Sequence, residues 1–410
     1  MNFHVNTLQA NRKRYLLETT TYNFAINISL GISNALLIRL LSYGVTELGI
    51  ITFTRILAYA VSQVPAAFLV ERFRRKRKML WTVFGAINRI GPAFLILSVY
   101  MPREYSLIFV VFISFITQFA GGVAGVAASD ILADIIPREE SARFFSRVNQ
   151  LNYIAISFAF ITSFTSFAFF PDHTPSYQFL YVLSFIAGVV SSVFLIRIKD
   201  PFVDSGEIKP YGRTLNDFNT FRMIIQDKKL RSYLTVISLF NFSVNIPAPF
   251  WDYIVMEIIG GNELIVILKN VVSLVVKSLT LTFWRREIIK FGLKKVTVAG
   301  MASTVLVPVL YKDFASTTTI LGIESFSGYV WAPLDLSFFL YNTYLSPREV
   351  RPSYISLLGF TTNTVSSLAS MVGTIIAVST GDVSTVLLTS SLLRGLTATI
   401  AYAKLPDIEK

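Results

Sequence analysis

Five charged residues stand where charge is expensive. Arg55, Lys269, Lys277, Glu324 and Asp335 each lie inside a run of mostly apolar residues of about 20, the length that crosses a bilayer. A charge at the bilayer centre costs about 2.5–3.5 kcal/mol on the lenient insertion scale, so such residues pair, line water or bind something. Together the three cations and two acids suit a mixed-charge pocket for an anionic or zwitterionic solute. Glu324 and Asp335, with Asp252 and Glu257 nearer the outer surface, are also candidate proton carriers. Other chemistries are closed. Cysteine is absent, His4 and His173 are the only histidines, and no G-x-x-x-x-G-K-[ST] phosphate loop occurs. No catalytic residue, metal or cofactor is expected.

The elements that must hold these residues are membrane helices. Hydrophobic residues make up 53% of the 410 and charged ones 15%, against roughly 25% charged in a soluble domain. Twelve apolar runs are predicted as spans: 21–42, 45–70, 79–99, 106–128, 148–170, 177–198, 231–255, 262–284, 296–311, 316–345, 353–379 and 383–404. With both termini in the cytoplasm, nearly every Lys and Arg between spans falls inside, and only Arg103 and Lys312 fall outside. The stretch ERFRRKRKML at 71–80 thus reads as a cytoplasmic turn between the second and third spans. The net charge of +12 reflects this sidedness, and no nucleic-acid partner is expected. The N-terminus shows no apolar stretch followed by a small-residue cleavage site, so no cleaved signal peptide is expected.

The chain also repeats. Pro137, Arg138 and Glu139 recur as Pro347, Arg348 and Glu349, and RFRRK at 72–76 is echoed by KFGLK at 290–294. Two six-helix halves related by an axis along the membrane normal produce this pattern. The predicted organisation is a bundle at 1–198, a cytoplasmic linker at 199–230 and a bundle at 231–410. In the linker, Thr214 is a plausible cap for a surface helix carrying Leu215, Phe218, Phe221 and Ile225 on one face, and an unstructured linker is the alternative.

These features resemble the major facilitator superfamily of secondary transporters. Its signature after the second helix, G-x-x-x-D-R-x-G-R-K, is matched in part by Ala67, Glu71, Arg72, Arg74, Arg75 and Lys76, with Glu for Asp and both glycines replaced. DIIPREESARFFSRVNQL and TYLSPREVRPSYISLLGF resemble its two paired loops, and AGGVAGVAASD its fourth helix. Gln118 stands where many proton-coupled members carry arginine, and the fifth span lacks the Gly-Pro motif of drug antiporters.

The resemblance implies an all-α membrane protein with twelve transmembrane helices in two pseudo-symmetric six-helix bundles, the first, fourth, seventh and tenth facing a central cavity. Each of these shows polar or small residues at helical spacing: Asn23, Asn27 and Asn34; Gln118, Gly122, Gly125 and Ser129; Ser238, Asn241, Asn245 and Asp252; Glu324, Gly328, Trp331 and Asp335. The candidate substrate residues are Asn27, Asn34, Arg55, Gln118, Asn241, Asn245, Lys269, Lys277, Glu324, Trp331 and Asp335. Arg89 and Arg394 read as structural. On the cytoplasmic side, Ser346, Pro347 and Glu349 fit a capping box, whose helix N-terminus the Glu71 carboxylate would latch, with Arg72 or Arg75 pairing to Asp130 or Asp134.

The function so implied is secondary active transport of a small solute, sugar or organic anion, by alternating access. The alternatives are a receptor or scaffold of transporter fold and a membrane-embedded lipid or glycan enzyme. The expected partners are the solute, the bilayer and a coupling proton or other ion, with the chain a multi-pass monomer of the cell membrane.

Overall fold

The computed structural model describes residues 2–136, 138–170, 173–200, 226–345 and 351–408. Among these residues all regular structure is helical. The helices are α1 Asn2–Ser29, α2 Ser33–Leu41, α3 Val45–Arg72, α4 Arg77–Ile90, α5 Arg103–Ile135, α6 Arg138–Phe169, α7 His173–Arg197, α8 Lys228–Asn245, α9 Glu263–Phe291, α10 Leu293–Ser303, α11 Leu306–Phe314, α12 Ile320–Leu345, α13 Arg351–Thr380 and α14 Val383–Lys404.

Among the described residues, eleven helical stretches are long and apolar enough to cross a membrane. The tenth expected span is the 26-residue α12, which lies outside that set because Glu324, Asp335 and several hydroxyl groups interrupt its apolar run. Helix ends run past the predicted spans. α1 starts at Asn2 and α6 at Arg138, because hydropathy marks where oil begins whereas a helix satisfies its own backbone and continues into polar sequence. Most of the linker, including Thr214, Leu215, Phe218, Phe221 and Ile225, lies outside the described residues.

Several spans are broken at identifiable residues. Pro92, lacking an N–H, lies at the start of a 3₁₀ stretch, Gly91–Tyr100, that continues α4. Pro247 and Pro249 end α8, and the chain continues through a short helix, Trp251–Tyr253, and a π-helical turn, Ile254–Ile258. The ninth span breaks at Thr304 between α10 and α11.

The chain forms two compact units. Unit 1 comprises Met1–Leu36 and Ala58–Asp217, and unit 2 comprises Leu37–Leu57 and Phe218–Lys410. In unit 1, α1 packs on α6 and α7, and α4 packs on α5. Trp81, Ile131, Ile135, Leu195 and Ile198 form a buried cluster there. Gly188 allows close approach of α7 to α4, since a Cβ would lie 2.7 Å from the Arg89 carbonyl oxygen. In unit 2, α9 packs on α12, and α8 on α13 and α14, around Phe240, Met301, Leu334 and Tyr354. Gly328 serves the α9–α12 contact, because a side chain there would collide with the Ser273 backbone.

Candidate functional site

Unit 2 contains all five charges first singled out inside spans, Arg55, Lys269, Lys277, Glu324 and Asp335. Lys277 on α9 meets Asp335 on α12 at 2.7 Å, with 26% and 49% of their side chains exposed. Eight residues earlier on α9, Lys269 is buried and pairs with Asp252 at 2.8 Å. The proline-broken end of α8 delivers Asp252 to that place on its short helix. Lys269 also feels the charge of Glu324, whose carboxylate accepts a hydrogen bond from the Tyr311 hydroxyl. The Tyr311 ring packs edge-on against Trp251 at 4.7 Å. Two bonded pairs, Lys269 with Asp252 and Tyr311 with Glu324, are thus drawn from four segments. A third pair joins Arg39 to the buried Glu263 at 3.2 Å.

The predicted mixed-charge pocket therefore resolves into separate pairs, Lys277 with Asp335 and Lys269 with Asp252 beside Glu324. Arg55 is half-buried on α3 within unit 2. Trp331 is partly buried and lies 5.9 Å from the Phe240 ring, against the apolar cluster. On α8, Asn241 and Asn245 donate back to the carbonyls of Ile237 and Asn241 at 2.8 Å, and Asn245 also donates to Ser366 of α13 at 3.1 Å. Asn27 on α1 of unit 1 bonds back to Asn23 in the same manner. Asn34 and Gln118 are half-buried on α2 and α5.

The cytoplasmic charges are arranged differently from the expectation. Ser346 and Glu349 lie outside the described residues, as does the side chain of Glu71. Arg72 and Arg75 are exposed, and the cation that meets Asp130 and Asp134 is Arg77, at 2.5 and 2.7 Å. It also grips Asp200 through two nitrogens at 2.9 and 2.7 Å, and its side chain is fully buried. The physical reason is desolvation: a guanidinium pulled into an apolar cluster needs paired carboxylates, whereas Arg72 and Arg75 keep water. Asp130 and Asp134 sit one turn apart on α5, so one planar fork reaches both. That spacing was the sequence signal, hidden because Arg77 reads as one more member of a basic run.

Arg89 is bonded to Glu18 and to Ser191, both buried, and lies over the Tyr22 ring. Arg394, also buried, donates to Ser390 and to the carbonyl of Thr304 at the break in the ninth span. Tyr311, Arg77 and Glu18 were absent from the expected sites, and Tyr311 carries no motif that marks it.

Comparison with known proteins agrees with this architecture. The family model described as "Major Facilitator Superfamily" matches residues 18–276, more than half of the chain. Among solved structures, a D-xylose-proton symporter is similar with a TM-score of 0.71 at 13% identity, covering 99% of this chain and 98% of that one. The nucleoside transporter NupG gives 0.68 at 13%, with 98% of each chain covered. The xylose transporter XylE from E. coli, in a partially occluded inward-open form, gives 0.69 at 12%, again with 98% of each. Comparison by sequence with curated proteins found no match. The chain belongs to the Major Facilitator Superfamily and is a multi-pass membrane protein, a secondary transporter of small solutes and not an enzyme.

Proposed function

We propose that this transporter carries a small polar solute, a sugar or an organic anion, along a water-accessible face of unit 2, and that its movement is coupled to a proton. The observation that carries the reading is the Lys277–Asp335 pair. It lies well inside α9 and α12, yet both side chains are part-exposed. Charges this open do not face lipid, where they are costly, so they face water or solute. The sugar class is supported by the likeness to xylose and nucleoside transporters. Coupling is supported by the buried Lys269 beside two carboxylates, its partner Asp252 and the nearby Glu324, a grouping able to carry a proton. The reading places the protein in the cell membrane as a monomer with both termini cytoplasmic, its bundles at 1–198 and 231–410 exchanging access.

Uptake of labelled D-xylose, uridine and citrate into sealed vesicles containing the purified protein tests this. Uptake of at least one of them, driven by an imposed inward proton gradient and lost in Lys277→Ala and Asp335→Ala, is the expected result. Uptake indifferent to both substitutions removes the assigned face, and indifference to the gradient removes the coupling.

A further inference from the structure

The seam between α8 and α13 of unit 2 turns acceptors outward. Asn241 on α8 donates its amide nitrogen to the Ile237 carbonyl, and Asn363 on α13 donates to that of Gly359, each at 2.8 Å. Thr362 and Ser366 give their hydroxyl protons to Leu358 and Thr362, at 2.7 and 2.8 Å. These bonds fix the flip of each amide, because an oxygen cannot face a carbonyl oxygen. The nitrogen is held against its own helix and Oδ1 is turned the other way. Among the described residues, no donor reaches the Oδ1 of Asn241 or Asn363. Both residues are half-buried, and neither oxygen is among the sealed unpaired atoms, so each oxygen keeps some exposed surface. The Asn245–Ser366 bond at 3.1 Å ties the helices beside them.

We infer that this seam is a subsite for a neutral, hydroxyl-rich part of the solute, which donates to the oxygens of Asn241 and Asn363. The inference rests on the proposed transport reading and decides between its two solute classes. A carboxylate or phosphate brings lone pairs to lone pairs and is repelled. An ammonium group needs a counter-charge, and the polar side chains of this seam, Asn241, Asn245, Asn363 and Ser366, carry none.

The test is thermal stabilisation of the purified full chain by D-xylose, D-glucose, myo-inositol and uridine, set against D-glucuronate, ribose 5-phosphate, citrate and choline. At least one neutral polyol is expected to stabilise. An analogue of it lacking the contacted hydroxyl is expected to bind about tenfold more weakly, the cost of one hydrogen bond with its partner left unpaired. Asn241→Val and Asn363→Val are expected to bind it about tenfold more weakly than Asn241→Thr and Asn363→Thr, since threonine can give its proton to the same carbonyl and still accept. Equal affinity for the Val and Thr forms overturns the inference, as does stabilisation by anions or choline alone, or by nothing in the panel. If the Val forms do not fold, the deoxy analogue on the native protein decides. Uptake of citrate with no polyol response leaves the transport reading standing and removes this one, whereas polyol binding without uptake does the reverse.

Discussion

Two arginines of unit 1 are buried in their ion pairs, whereas one pair of unit 2 is part-exposed on both sides. In unit 1, Arg77 is fully buried and bonded to the buried Asp200 and the part-exposed Asp130 and Asp134, and Arg89 is buried with Glu18. In unit 2, Lys277 and Asp335 are part-exposed, and the buried Lys269 lies beside two acids, Asp252 and Glu324. A buried cation bonded to several acids fixes a conformation, while a pair open to its surroundings can exchange a solute. The difference assigns stability chiefly to the charges of unit 1 and exchange chiefly to those of unit 2.

The sharpest way to break this division is Arg77→Ala. It strands three carboxylates, and a loss of about 3–5 kcal/mol is expected, read as a large fall in melting temperature. Arg77→Lys is expected to recover only part, because an ammonium lacks the planar fork that holds Asp200. Lys269→Ala comes next, at about 3 kcal/mol, for leaving Asp252 and Glu324 unbalanced. Adding Asp252→Asn is expected to restore part of the melting temperature but not gradient-driven uptake. An undiminished melting temperature in Arg77→Ala would end the division.

Lys277→Ala is the converse case. The pair is too exposed to add more than about 1 kcal/mol to stability, yet uptake is expected to fall at least tenfold, equivalent to about 1.4 kcal/mol of barrier. A melting temperature that falls as far as in Arg77→Ala, with uptake retained, would reverse the roles of the units.

The smallest effect serves as a control within unit 2. Asp382 caps α14, accepting from the Ser384 N–H at 2.8 Å, and this bond holds its carboxyl below the ordinary value of 3.8. The depressed pKa means that its contribution is complete above 3.8 and fades as pH falls through the lower folded value. Asp382→Ala is expected to cost about 1 kcal/mol at neutral pH, with uptake unchanged and the difference from native vanishing in strong acid.

Much of this was legible because oil is a strict solvent. Apolar runs located the spans, and the rarity of charge within them singled out Lys269, Lys277, Glu324 and Asp335. What stayed hidden was who meets whom. Arg77 was masked by five neighbouring cations, and the pairing of Lys269 with Asp252 depends on a proline-broken turn whose direction no periodicity encodes. The amides were visible as stripes, but only the backbone shows which end of each one is spent on its own helix.

Arg394 bears on how the chain is made. Among the described residues it has no carboxylate partner, and it is held by Ser390 and the Thr304 carbonyl, with Ser391 of the same helix capping Val305 at 2.9 Å. Left alone in lipid, α14 would carry that guanidinium at a cost of about 2.5–3.5 kcal/mol. This segment therefore has reason to associate with the kinked ninth span before leaving the insertion machinery, which makes membrane insertion of this half a cooperative event and not a tally of independent helices.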